Sequence, residues 1–208
     1  DDLLLRSAMQ QLQWAAAQLE SFFTRREMQS QQHRVERILK SLELALATLE
    51  QDNLLAAARA LSTEIAVTLG AERVSLGVVK GKHSEVVAIS HMARFAAEAN
   101  LVRAIASAMD EAIDQHNLVL VPAQEGRDSA PLTWAGRELH SATSAGLICT
   151  VPFQHGSDFY GALVIEFAQA DQLDTGSLSV IEAITAMMAP VLDLYQRNDR
   201  SIPTRLQD

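Results

Sequence analysis

The apolar positions of the first third of the chain fall at helical spacing. Leu5, Met9, Leu12, Ala16, Leu19 and Phe23 step by fours and threes, and Val35, Leu39, Leu42, Leu46 and Leu49 repeat the step in another phase. Neither Gly nor Pro occurs between Asp1 and Leu69, so the pattern predicts long amphipathic helix. The polar stretch from Thr24 to Arg34 separates the two seams, which leaves either one helix with a stutter or two helices joined by a short turn. Such a seam packs on its own domain or meets the same seam of a second chain. The second arrangement, a homodimer through a coiled-coil-like stem over residues 1–52, is the expected one.

Beyond the stem the period changes. Asp52 and Asn53 offer capping side chains, and Leu54, Ala58, Leu61, Ile65 and Leu69 mark an amphipathic helix that stops at Gly70. Arg73 to Val79 then alternates Val74, Leu76 and Val78 with smaller or polar residues. Lys80-Gly81-Lys82 reads as a turn, and Glu85 to Ser90 as the returning strand. A helix from about Asn100 to Gln115 presents Leu101, Ile105, Met109 and Ile113 on one face, with a short strand over Leu118 to Val121 after it. Pro122 to Thr133 is loop-like, and Trp134 to Ala142 fits a short helix. Leu147, Cys149, Val151 and Phe153 alternate with Ile148, Thr150 and Pro152, a turn follows at Gln154 to Asp158, and Tyr160 to Phe167 returns. A final helix is expected from Ser177 to Arg197. Strands and helices in this order predict an α+β fold with helices grouped beside one sheet.

Composition narrows the function. The 208 residues are 48% apolar with a formal net charge of −9, enough for a real core and the wrong sign for a phosphate-binding surface, so no nucleic-acid partner is expected. The single cysteine, Cys149, excludes an internal disulfide and a cysteine-rich zinc site; a reducing, cytoplasmic setting is the default. No apolar run approaches the roughly 18–20 residues that span a bilayer. Six histidines are scattered without ligand spacing, and no nucleophile elbow, phosphate loop or zinc-protease motif occurs, so neither a metal site nor a catalytic residue is expected. Asp110, Glu111 and Asp114 read as a solvated helix face. The start at Asp1 and the unpatterned tail over residues 198–208 suggest a linker and a piece of a longer protein.

The closing hairpin and helix, with Val151-Pro152-Phe153 before the turn and Tyr160-Gly161-Ala162-Leu163 after it, together with Leu69-Gly70-Ala71-Glu72-Arg73-Val74-Ser75, resemble the GAF family of sensory modules. The resemblance covers residues 53–197. It implies a mixed or antiparallel sheet flanked by helices, a small organic ligand held on one face of the sheet, parallel dimers through flanking helices, and a non-catalytic role. Ala88 to Phe95 followed by Asn100 to Ile105 resembles, more narrowly, GAF regions preceding bacterial membrane-fusion adaptors of secretion or efflux systems. The departures matter: the Asn-Lys…Phe…Asp-Glu pattern of cyclic-nucleotide binders is missing. The enzymes of this fold that reduce free methionine sulfoxide use several cysteines, whereas this chain has one.

The implied ligand site would be roofed by the segments between the central strands. After the second strand lie His91, Arg94 and Phe95, and the roof supplies Trp134, Glu138, His140 and Ser141. Arg94 suits a carboxylate or phosphate, Phe95 and Trp134 suit a flat ring, and His91 and His140 offer hydrogen bonds. Thr150 and Cys149 lie on opposite faces of one strand, so only one of them faces the site. A cysteine in an apolar strand is more often core. The ligand-binding candidates are therefore His91, Arg94, Phe95, Trp134, His140 and Thr150, for an unidentified ligand or cofactor. The competing reading is a purely structural dimerisation domain with a filled interior.

Overall fold

The structure is a computed structural model that describes residues 53–92, 98–124, 132–156 and 158–200. The stem, Arg94 and Phe95 lie outside these residues.

Helix α1 (Leu54–Leu69) begins where Asn53 Oδ1 accepts the Ala56 N–H at 3.0 Å. It ends at Gly70, whose φ of 63° turns the chain out of the helix, a conformation that costs a Cβ-bearing residue more than glycine. Strands β1 (Arg73–Lys80) and β2 (His83–Ile89) form the expected hairpin, with Lys80 opposite His83. Helix α2 (Ala99–Asp114), strand β3 (Val119–Val121), helix α3 (Trp134–Ala142), strands β4 (Leu147–His155) and β5 (Asp158–Phe167) and helix α4 (Thr175–Arg200) follow. Each lies close to its expected place.

The five strands form one sheet in the order β2-β1-β5-β4-β3, and every pairing is antiparallel. Because β2 and β3 occupy opposite edges, the chain between them must cross the whole sheet. Helix α2 makes that crossing, which is why it packs on β2, β4 and β5.

Strand alternation sorts the side chains into two layers. Val74, Leu76, Leu147, Cys149, Val151, Phe153, Leu163, Ile165 and Phe167 join Leu61 and Ile65 of α1 and Ile181, Ile184 and Met188 of α4 in the larger core. Ile148, Ala162 and Val164 face the other way, against Ile105 and Met109 of α2 and Leu139 of α3. Full burial of one Leu, Ile or Phe contributes about 1.5–3 kcal/mol, so these two layers dominate the stability. The layers also settle which way β4 faces. Cys149 is a core residue beside α1 and α4, and Thr150, 1% exposed, lies on the α2 and α3 side.

Candidate functional site

Over the middle of the sheet there is little room between α2 and the strands. Gly77 lacks a side chain, and the Met109 sulfur occupies the place where its Cβ would stand. The space opens instead at one end of the helical layer. There a cleft of about 690 Å³ is lined by Arg73, Glu98, Asn100, Glu138, Thr143 and Ser144 among others, a size within the range of small-molecule sites.

Its charged anchor is a bidentate pair. Arg73 at the start of β1 lies opposite Glu166 on β5, and its Nε and Nη2 each donate to one carboxylate oxygen at 2.7 Å. Glu166 is 1% exposed, and a buried carboxylate is tolerated only when so paired. The hydrogen bonds it donates to Glu166 hold the Arg73 guanidinium above its ordinary value; burial opposes this and the fields of Glu166, Glu98 and Glu72 add to it. Arg73 is therefore a fixed positive charge already matched by Glu166.

Two helix ends meet at the same cleft. Glu98, Ala99, Asn100 and Leu101 line it from the N-terminus of α2, and Glu138, Ala142, Thr143 and Ser144 from the C-terminus of α3. The N-cap of α2, Glu98, makes no side-chain capping bond. The Thr143 hydroxyl oxygen is shut off from solvent and has no hydrogen-bond partner.

The candidates named from sequence are dispersed. His91 is exposed in the turn after β2 with φ of 60°. Trp134 is 82% exposed at the first residue of α3, and His140 is half-buried in its last turn. Neither these three nor Thr150 is among the residues lining the cleft, whereas Glu138 is. Arg73, Glu98, Asn100, Thr143 and Ser144, which do line it, were not among those candidates. One signal was available: Glu166 is the single charged residue in the apolar run Gly161 to Phe167, which demanded a cationic partner on a neighbouring strand.

The acidic residues of α2 are also more than a solvated face. Both Glu111 carboxylate oxygens accept first-turn N–H groups of α3, from Ala135 and Gly136, each at 3.0 Å. Asp110 accepts the Ser84 N–H at 2.6 Å and lies 3.3 Å from His83 Nδ1. Only Asp114 of the three is exposed. Among the described residues no cluster of His, Cys, Asp and Glu is arranged to hold a metal, and no helix is long and apolar enough to cross a membrane.

No protein-family model and no curated protein matches the chain. Solved structures do match it. The GAF domain of a phosphoenolpyruvate-protein phosphotransferase from Coxiella burnetii has a TM-score of 0.58 at 10% identity, covering 79% of this chain and 96% of that one. The phycocyanobilin-bound GAF domain of a cyanobacterial phytochrome has a TM-score of 0.58 at 14% identity, covering 78% and 96%. The fRMsr of Staphylococcus aureus, solved in complex with its substrate, has a TM-score of 0.53 at 13% identity, covering 75% and 95%. At such identities the likeness is one of fold, and the described domain has the GAF fold. That fold carries a pigment in one of these proteins and meets a substrate in another.

Proposed function

We propose that this chain is a non-catalytic sensory and dimerisation module of a larger bacterial signalling or transport-associated protein, and that a small organic molecule binds in the cleft between the ends of α2 and α3. The observation that carries the reading is the cleft itself: polar groups from three elements converge on one space beside a fully paired ion pair. The GAF fold supports it, since a structural relative holds phycocyanobilin. Apolar side chains left exposed on the α1 and α4 layer, Leu55 at 44%, Val67 at 67% and Leu194 at 64%, support a second copy as the dimer partner. Binding would signal by favouring one arrangement of the flanking helices over another. The absence of a second cysteine speaks against thiol redox catalysis on this fold, because a reducing cysteine needs a resolving thiol.

Native mass spectrometry of the purified chain, followed by a thermal-shift screen of metabolites, tests the reading. A bound small molecule should be retained or found, and Ala104→Trp, which fills the cleft, should abolish its binding while the protein stays folded. Binding unaffected by that substitution would move the site elsewhere. No binding by any metabolite would favour the inert dimerisation domain.

A further inference from the structure

Away from the cleft, the sheet has one long outer edge. Of its two edge strands β3 spans three residues and β2 seven, and among the described residues no strand pairs with the outer side of β2. Lys80 and His83 close the two-residue turn of the first hairpin, so the backbone groups of Ser84 and Val86 point away from β1. Asp110 of α2 follows this geometry, taking the outward N–H of Ser84 at 2.6 Å. Among the described residues Val86 has no such cap. Helix α2 turns the edge into the floor of a groove of about 380 Å³. Val102, Arg103 and Ala106 lie on one face of the helix and wall the groove opposite Ser84 and Val86. Asp110, one turn further along, closes its end beside His83.

Charge at this groove runs against that of the whole chain. The protein carries a net charge of −9 and three lysines, yet two of the three, Lys80 and Lys82, flank Gly81 in the turn that leads into β2. Lys80 pairs with Glu85 at 2.8 Å, and Asp110 is engaged by Ser84 and His83. Lys82 and Arg103 stay exposed and, among the described residues, make no ion pair. An edge strand beside a groove supplies main-chain hydrogen bonds and a wall for alternate side chains, which is how an extended peptide joins a sheet. We propose that the edge of β2 and the facing side of α2 dock an extended, acidic segment of a partner protein, which adds a further strand to the five-stranded sheet. Its backbone pairs with the Ser84 carbonyl and with Val86, a small apolar side chain fills the space between Val86, Val102 and Ala106, and its carboxylates meet Arg103 and Lys82. A second copy of β2 would bring the same cations to the same edge, so charge favours an acidic strand over a copy of this one.

A displayed library of random peptides, panned on the full chain, tests this, with the best binder synthesised and titrated by fluorescence anisotropy. Recovered sequences should alternate Asp or Glu with Val, Ile or Thr; a library that yields no binder, or only binders without acidic residues, overturns the proposal. Methylating the peptide's backbone nitrogens one at a time should cost about tenfold at every second position and little between them, because only alternate N–H groups face β2. A peptide indifferent to every methylation is not a strand. Arg103→Glu should weaken the peptide by about tenfold, and Ala106→Trp, which fills the groove, should abolish its binding while circular dichroism is unchanged. Affinity untouched by both variants puts the peptide elsewhere and sinks the assignment. If either variant instead converts a dimer to monomer in light scattering without altering peptide affinity, the edge belongs to a second copy and the acidic partner is wrong.

Discussion

The Arg73 and Glu166 pair joins β1 to β5 through a carboxylate that is buried in the sheet. The carboxylate is nearly sealed, with 2% of the Glu166 side chain exposed, against 26% of the Arg73 side chain. Removing one partner of a buried pair leaves the other charge desolvated, at a cost of several kcal/mol. Arg73→Met should lower the unfolding free energy by about 2–3 kcal/mol, a partly exposed version of that penalty. Adding Glu166→Leu should restore most of it, because the orphaned charge then disappears. Denaturant titration of the two variants checks this, and a single variant as stable as the parent would show that the pair contributes nothing. The pH dependence follows from the direction of the Arg73 shift. The folded state holds the Arg73 guanidinium above its ordinary value, so its contribution is fully present below the unfolded value and is lost only as the pH rises through the folded one.

At the scale of elements, α3 is the piece that depends most on its neighbours. Nine residues are too few for a helix to persist alone, and its buried face is narrow, with Gly136 and Leu139. Glu111 compensates from α2 by taking two first-turn N–H groups. Gln115 secures the approach, accepting the Leu132 N–H at 2.9 Å and donating to the Leu132 carbonyl at 2.8 Å. Glu111→Ala should therefore cost about 1–2 kcal/mol, the usual penalty for losing a helix cap. Amide exchange should accelerate in α3 well before α1, whose cap is its own Asn53. Uniform acceleration across both helices would contradict this division. Since α3 forms one wall of the cleft, the same substitution should also weaken whatever binds there.

For the whole molecule the deciding quantity is the number of chains. The seams in the stem and the exposed Leu55, Val67 and Leu194 point towards a second copy, and the stem can be tested directly. Leu12→Gln with Leu19→Gln should shift the protein from dimer to monomer in light scattering, with the GAF-fold domain unchanged by circular dichroism. A dimer that survives these changes would place the contact on the α1 and α4 layer. A monomeric parent protein would overturn the dimer altogether.

Much of this architecture was legible in the sequence, because periodicity, caps and turns act over a few residues. Asn53 and Gly70 bound α1, Gly81 turns the first hairpin, and the alternation along β4 by itself divides its residues between two faces. Local signals of this kind also define the order of elements, and with it the α+β class. They could not tell which face of β4 meets which helices, because that depends on α2 crossing from one sheet edge to the other. Nor could they bring Arg73 to Glu166, 93 residues away, or place the end of α3 beside the start of α2. Sequence by itself determined the elements; tertiary structure alone decided the cleft, because a binding site is made of groups that are distant along the chain and meet only when the sheet is assembled.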